Sequence, residues 1–155
     1  MRGGLRVRII ALVVFVSALT LTVAAVLLFS PLNASLHRSA VNDLVNELRN
    51  NRHLIGELPA NVVVAHNNKL LGEVHALRKR VRSDIALFTA DGRMLVNTDH
   101  DSPASDYQSA AVTLRTQADS GKVTGKGADA EVDIAVPVPA TDDRGALVIA
   151  ARRPI

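Results

Sequence analysis

The sequence predicts an α+β protein held by one membrane helix, and three observations carry that expectation. An uncharged run of 21 residues, Ile9 to Phe29, is followed by apolar residues at three- and four-residue spacing. Past Ser83 the apolar period changes from helical to two and stays so over most of the remaining chain. Helical segments first and extended segments later describe a fold in which helices pack on a mostly antiparallel sheet.

The uncharged run, IIALVVFVSALTLTVAAVLLF, matches the roughly 30 Å hydrocarbon core of a bilayer at about 1.5 Å of rise per residue. Ser17, Thr20 and Thr22 do not spoil it, because a hydroxyl can bond back to a carbonyl one turn earlier. A secretory signal is the competing reading, with cleavage near Ala34, but its apolar core usually spans only about 7 to 15 residues. The expected division is a cytoplasmic leader over 1–8, a transmembrane helix over 9–29 and an extracytoplasmic domain over 30–155. Arg2, Arg6 and Arg8 set that orientation, since basic residues beside a span are retained on the cytoplasmic side.

Composition limits what the exported part can be. About 125 residues suffice for one small domain with a single core. Three of the 18 basic residues lie in the leader, and the remaining 15 balance the 15 acids, so no nucleic-acid footprint is left. With no cysteine there is no disulfide, thiolate nucleophile or lipoprotein anchor, and an aromatic content of 3% argues against base-stacking platforms.

Beyond the punctuation of Ser30 and Pro31, an amphipathic helix is predicted from about Ala34 to Ile55, with Val41, Leu44, Val45, Leu48 and Ile55 on one stripe. Val41, Leu44, Leu48 and Ile55 also fit the a and d positions of a short heptad seam, which points to a parallel homodimer; the same stripe could instead pack on its own domain. Gly56 and Pro59 stop the helix, and PANVVVAHNN takes no assigned structure. A second helix is expected from about Lys69 to Arg82, with Leu70, Val74, Leu77 and Val81 inward. Its basic last turn, Arg78, Lys79, Arg80 and Arg82, complements the helix dipole or docks anionic lipid headgroups or an acidic ligand.

Ile85, Leu87 and Thr89 alternate with Ala86, Phe88 and Ala90, Asp91-Gly92 makes a turn, and Met94 to Val96 completes a hairpin. The polar run NTDHDSPAS follows as a loop. Ser105 is placed to cap a helix from about Asp106 to Ser120, with Gly121 as its stop. GKVTGKGAD reads as a turn-rich connection. Val132, Ile134, Val136 and Val138 then face one way while Glu131 and Asp133 face the other, and Ala146 to Ala151 forms the last strand. Pro137 and Pro139 predict an edge or a bulge in the first of these strands.

The segments SDIALFTADGRMLVNT and AEVDIAVPVPATDDRGALVIAARRP, after a membrane helix that runs into a long helix, resemble the extracytoplasmic sensor domain of bacterial two-component histidine kinases. The resemblance implies a PAS-like fold of the single Cache, or PDC, type, in a family sensing dicarboxylates, citrate and divalent cations. It implies a hairpin that begins the sheet and a last strand that leads into a second membrane helix. The sequence departs from that family by ending at Arg152-Arg153-Pro154-Ile155, with no signalling linker, phosphoacceptor helix or ATP-binding segment. The expectation is therefore a membrane-anchored sensing module without its kinase part, with no enzymatic activity and no cofactor of its own. The alternative is an anchored accessory subunit that docks on another membrane complex.

Two candidate sites follow. Asp99, His100 and Asp101, with Asp106 nearby, form the densest group of potential cation ligands, provided that a loop makes them converge. Arg93, His100 and Arg80, the last standing for the basic turn 78–82, are candidates for a small anionic ligand, because guanidinium groups match carboxylates bidentately. Val41, Leu44, Val45 and Leu48 are the expected dimer and signal residues. No Gly-x-Ser-x-Gly elbow, His-Glu-x-x-His or phosphate loop is present to suggest catalysis.

Overall fold

A computed structural model describes residues 3–125 and 129–155. Arg2 of the basic leader and Lys126, Gly127 and Ala128 of the expected turn-rich connection lie outside the described residues. The chain separates into two units, 1–38 and 39–155.

The first unit is helical. Helix α1 spans Gly3–Asn51 and stays helical through Ser30 and Pro31, where the sequence suggested a break. Proline's fixed φ fits a helix, although its missing N–H leaves one backbone bond unmade. Within α1, Val7–Ala25 is long and apolar enough to cross a membrane, and none of that stretch is buried in the protein. Thr20 and Thr22 donate their hydroxyls to the carbonyls of Val16 and Ala18, each at 2.8 Å, so these polar groups are satisfied inside the helix.

The second unit is α+β. It comprises the last turns of α1, the short helix α2 (His53–Gly56), α3 (Asn68–Val81), strands β1 (Asp84–Thr89) and β2 (Met94–Asn97), helix α4 (Gln108–Thr116), and strands β3 (Ser120–Thr124), β4 (Glu131–Val138) and β5 (Leu147–Pro154). Among the described residues the strands form one antiparallel sheet in the order β2-β1-β5-β4-β3.

Both faces of that sheet are covered. Ile85 and Leu87 of β1, Ile134 and Val136 of β4, and Ile149 and Ala151 of β5 pack with Leu44 and Leu48 of α1 and Leu70, Val74, Leu77 and Val81 of α3. On the other face Ala86, Phe88, Ala135, Val148 and Ala150 pack with Tyr107 and with Ala110 of α4. Leu44 and Leu48 are both 0% exposed. Three of the four side chains expected on the heptad seam, Leu44, Leu48 and Ile55, are therefore committed to the domain's own core, and Val41 and Val45 are half-buried beside them. A helical stripe records that a face is buried and not what buries it.

Helix α3 begins where Asn67 accepts the N–H groups of Lys69 (2.9 Å) and Leu70 (3.3 Å), as an N-cap residue does. It ends where Arg82 takes a left-handed conformation, φ 50° and ψ 43°. Helix α4 is shorter than the sequence suggested. Ala104–Asp106 forms a separate 3₁₀ turn, no side-chain cap is made at Tyr107, and Gln117 at φ 53° ends the helix. Gly121, expected as the stop, instead lies inside β3.

Asp133 faces away from Val132 and Ile134, as the alternation predicts, and α4 covers that face, so Asp133 is 0% exposed. One further expectation is corrected on β4: the strand is interior rather than an edge, and Pro137 pairs in register with Val148. The proline is tolerated because β3 begins only at Ser120, opposite Ala135, and so does not reach Pro137. The Pro137 carbonyl, left on that open side, accepts from Arg52 at 3.5 Å.

Candidate functional site

The polar chemistry of the second unit gathers at one end of the sheet, where β1 and β3's partner β4 begin and β2 and β5 finish. Antiparallel register sets Arg152 of β5 directly between Asp84 of β1 and Asp133 of β4. Residues opposite one another in neighbouring strands share a face, so all three lie on the side that carries α4.

Arg152 is the hub. It donates to Ser102 Oγ at 3.0 Å, forms an ion pair with Glu131, approaches Asp106 at 3.7 Å, and lies over the Tyr107 ring at 5.6 Å. Its burial favours the neutral form, but the hydrogen bond and charge of Glu131, with Tyr107 and Asp106, hold its pKa above the ordinary value. Tyr107 is 1% exposed, meets Phe88 edge-on with 6.0 Å between ring centroids, and donates to Asn97 Oδ1 at 2.8 Å. Burial, followed by the charge of Asp99, pushes the phenol's pKa up.

Asp133 is held differently. Its Oδ2 accepts the Ser109 N–H at 2.8 Å and its backbone carbonyl accepts the Ser109 hydroxyl at 2.7 Å, while Oδ1 is buried without a partner among the described residues. Burial raises its pKa, against the lowering effect of the Ser109 bonds. Thr113 and Ser120 extend this line of hydroxyls beneath α4, 2.7 Å apart.

The loop between β2 and α4 folds down over this end. Asn97 Nδ2 donates to the Ser102 carbonyl at 2.7 Å, and the Asp99 N–H donates to Asn97 Oδ1 at 3.0 Å. The Asp99 carboxylate accepts the Ser102 hydroxyl and the Asp101 N–H, so both of its oxygens serve the loop's own turn. The Ser102 bond is the main cause of a lowered Asp99 pKa.

Beside this cluster a groove of about 360 Å³ opens between the last turn of α3 and the ends of β1 and β5. His75, Arg78, Lys79, Arg82, Asp84 and Arg152 are among the residues that line it. Arg78 pairs with Asp84 at 2.8 Å. Among the described residues Lys79, Arg80 and Arg82 have no acid within ion-pair distance.

The residues predicted from sequence are not gathered into one site. Arg93 is 84% exposed in its side chain and pairs with Asp91 at 3.2 Å beside the hairpin turn. His100 is exposed beyond the opposite end of β2, and a strand of four residues separates the two by roughly 13 Å. Arg80 is exposed and does not line the groove that its neighbours Arg78, Lys79 and Arg82 line. The cation site is corrected as well. Among the described residues no three His, Asp or Glu side chains are placed to hold a metal, so Asp99, His100 and Asp101 do not converge.

Sequence reasoning passed over Arg152, Tyr107, Asp133 and Arg144. The last is 6% exposed and donates to the carbonyls of Ile55 (2.8 Å) and Pro139 (3.0 Å), tying the β4–β5 turn to α2. One signal was available for Arg152. It continues the alternation of Val148 and Ala150, and so falls on the α4 face of a strand whose other residues there are apolar. Comparison with protein-family models, curated proteins and solved structures finds no match.

Proposed function

We propose that this chain is a membrane-anchored, extracytoplasmic signal-sensing module with a PAS-like domain, the input portion of a two-component sensor histidine kinase. One observation carries the reading. The helix that contains the candidate span also contributes Leu44 and Leu48 to the core of a sheet whose opposite face holds a loop-covered polar cluster. The hairpin that opens the sheet, Thr89 to Arg93 with Gly92 at φ 84°, also suits the family that the sequence resembles.

The mechanism is a two-state packing equilibrium. A small ligand at the Arg152 cluster or in the adjoining groove favours one arrangement of sheet on helix, and can do so only by its differential affinity for the two states. Leu44, Val45 and Leu48 pass that difference to α1, and displacement of a membrane helix is the output. The leader arginines put the N-terminus in the cytoplasm. The parallel homodimer belongs to the same proposal, with contacts on the span rather than on the buried Leu44 and Leu48.

The coding frame beyond Ile155 tests this directly. About 20 further apolar residues, a helical linker and a phosphoacceptor histidine are the expected result. A stop codon directly after Ile155 refutes the kinase assignment, and crosslinking to a membrane partner then becomes the informative experiment.

A further inference from the structure

We propose that the groove at the C-terminal end of α3 binds the phosphate group of an anionic ligand, with Lys79 and Arg82 as its charged recognition residues. This names a ligand class for the module proposed above and rests on that reading only for its signalling consequence. Binding itself needs nothing beyond the second unit.

The argument begins with charge. Four cations line the groove, but two are already matched: Arg78 by Asp84, and Arg152 by Glu131 and Asp106. Lys79 and Arg82 remain, with no acid within ion-pair distance among the described residues. The partial negative charge at the end of α3 amounts to about half an elementary charge, which two full positive charges exceed several-fold. Helix capping therefore leaves most of this charge unexplained.

Geometry adds to it. Lys79 lies in the last turn of α3 and Arg82 is the residue that ends it, and both line the same groove. Arg82 is held in the left-handed region, an unfavourable conformation for a residue other than glycine, between the buried residues Val81 and Ser83. The backbone that carries its guanidinium is thus fixed by its neighbours. A volume of about 360 Å³ falls within the range of small-molecule sites. A phosphomonoester carries about −1.5 to −2 charges near pH 7, enough to neutralise both cations, whereas a single carboxylate would leave one unmatched.

The phosphate could be free in solution or on a lipid headgroup, and the test separates these sources. The full chain is reconstituted in phosphatidylcholine nanodiscs, with or without inorganic phosphate at ionic strength matched by sodium chloride, and separately in discs containing phosphatidic acid. Thermal unfolding is followed by the fluorescence of Tyr107, the sole tyrosine in a chain without tryptophan. A ligand that binds the native state raises the midpoint by mass action. A rise with added phosphate in phosphatidylcholine supports a soluble ligand; a rise confined to the phosphatidic acid discs supports a headgroup.

In either case each of Lys79→Gln and Arg82→Gln should weaken the apparent affinity at least about tenfold, as loss of a charge-assisted bond does. Arg93→Gln, remote from the groove, should leave it unchanged. Lys79→Glu keeps the Arg82 backbone intact and should abolish the response, which guards against a folding defect in the Arg82 variant. No rise in either medium, or an undiminished rise in Lys79→Glu, overturns the proposal. A lysine-dependent rise in a chain whose frame stops at Ile155 leaves the phosphate site standing and removes only the kinase reading.

Discussion

Replacing Leu48 with alanine decides whether the α1 stripe is core or seam. Leu48 is 0% exposed within the cluster formed by α1, α3 and the sheet. Truncation removes three carbons, worth about 2.4 kcal/mol at roughly 0.8 kcal/mol each, and the cavity left behind brings the expected cost to about 3 kcal/mol. In a domain of this size about 1 kcal/mol moves the unfolding midpoint by roughly 3 to 5 °C, so a fall of about 10 to 15 °C is expected. Tyr107 reports the transition from the far face of the sheet, which makes the readout one of the whole domain rather than of the mutated side. The fall should be the same at protein concentrations tenfold apart, because Leu48 contacts its own chain. A shift below about 3 °C, or one that depends on concentration as an interface defect does, would refute the packing described for α1.

Three other substitutions test separate contacts. At Gly121 an added Cβ would come within 2.7 Å of Val41 and 2.9 Å of Ile134, so Gly121→Ala should cost about 1 to 3 kcal/mol in a urea titration, and Val41→Ala should recover part of it. Asp133→Asn should flatten the pH dependence of the urea midpoint: above the ordinary aspartate value of 3.8 the unfolded chain ionises first, so native stability falls as pH rises until the buried carboxyl also loses its proton. Arg144→Ala leaves the Ile55 and Pro139 carbonyls without their donor and should lower stability by about 2 to 3 kcal/mol, detectable as earlier exchange of amides in the β4–β5 turn.

The elements that were legible in the sequence are those whose signal is local. Leu70, Val74, Leu77 and Val81 recur at helical spacing, and all four are 0% exposed in α3. The Asp91-Gly92 turn is equally local, since only the chain on either side of it has to pair. Asp133 shows where local reading stops. Alternation sets it on the face opposite Val132 and Ile134 but does not say what covers that face, which is α4, a nine-residue helix with few large side chains. The site was the least visible part for the same reason. Asp84, Asp133 and Arg152 become neighbours only through strand register, and residues up to 68 positions apart leave no trace in any local window. The acidic loop at Asp99 to Asp101 drew notice because its residues are adjacent in sequence, yet adjacency lets Asp99 satisfy the turn's own donors instead of a cation.

The two faces of the sheet differ in a way that bears on how a sensing domain could couple to its helix. Large aliphatic side chains fill the α1 and α3 side, where a small shift would cost many contacts at once. Alanines at 86, 110, 135 and 150 dominate the α4 side, with the charged groups collected at its Asp84 end. Strand β5 joins the two. Successive residues on a strand point to opposite faces, so Arg152 enters the polar cluster while Arg153, the next residue, reaches Glu47 of α1 at 3.7 Å. Under the proposed function, a ligand that redirects Arg152 acts on a strand whose adjacent residues, Ala151 and Arg153, face α1. That ion pair is partly exposed and contributes little to stability by itself. Under the proposed function the buried pair Leu44 and Leu48 would therefore carry most of the coupling, which is why their packing, and not the surface charges, is the part to perturb first.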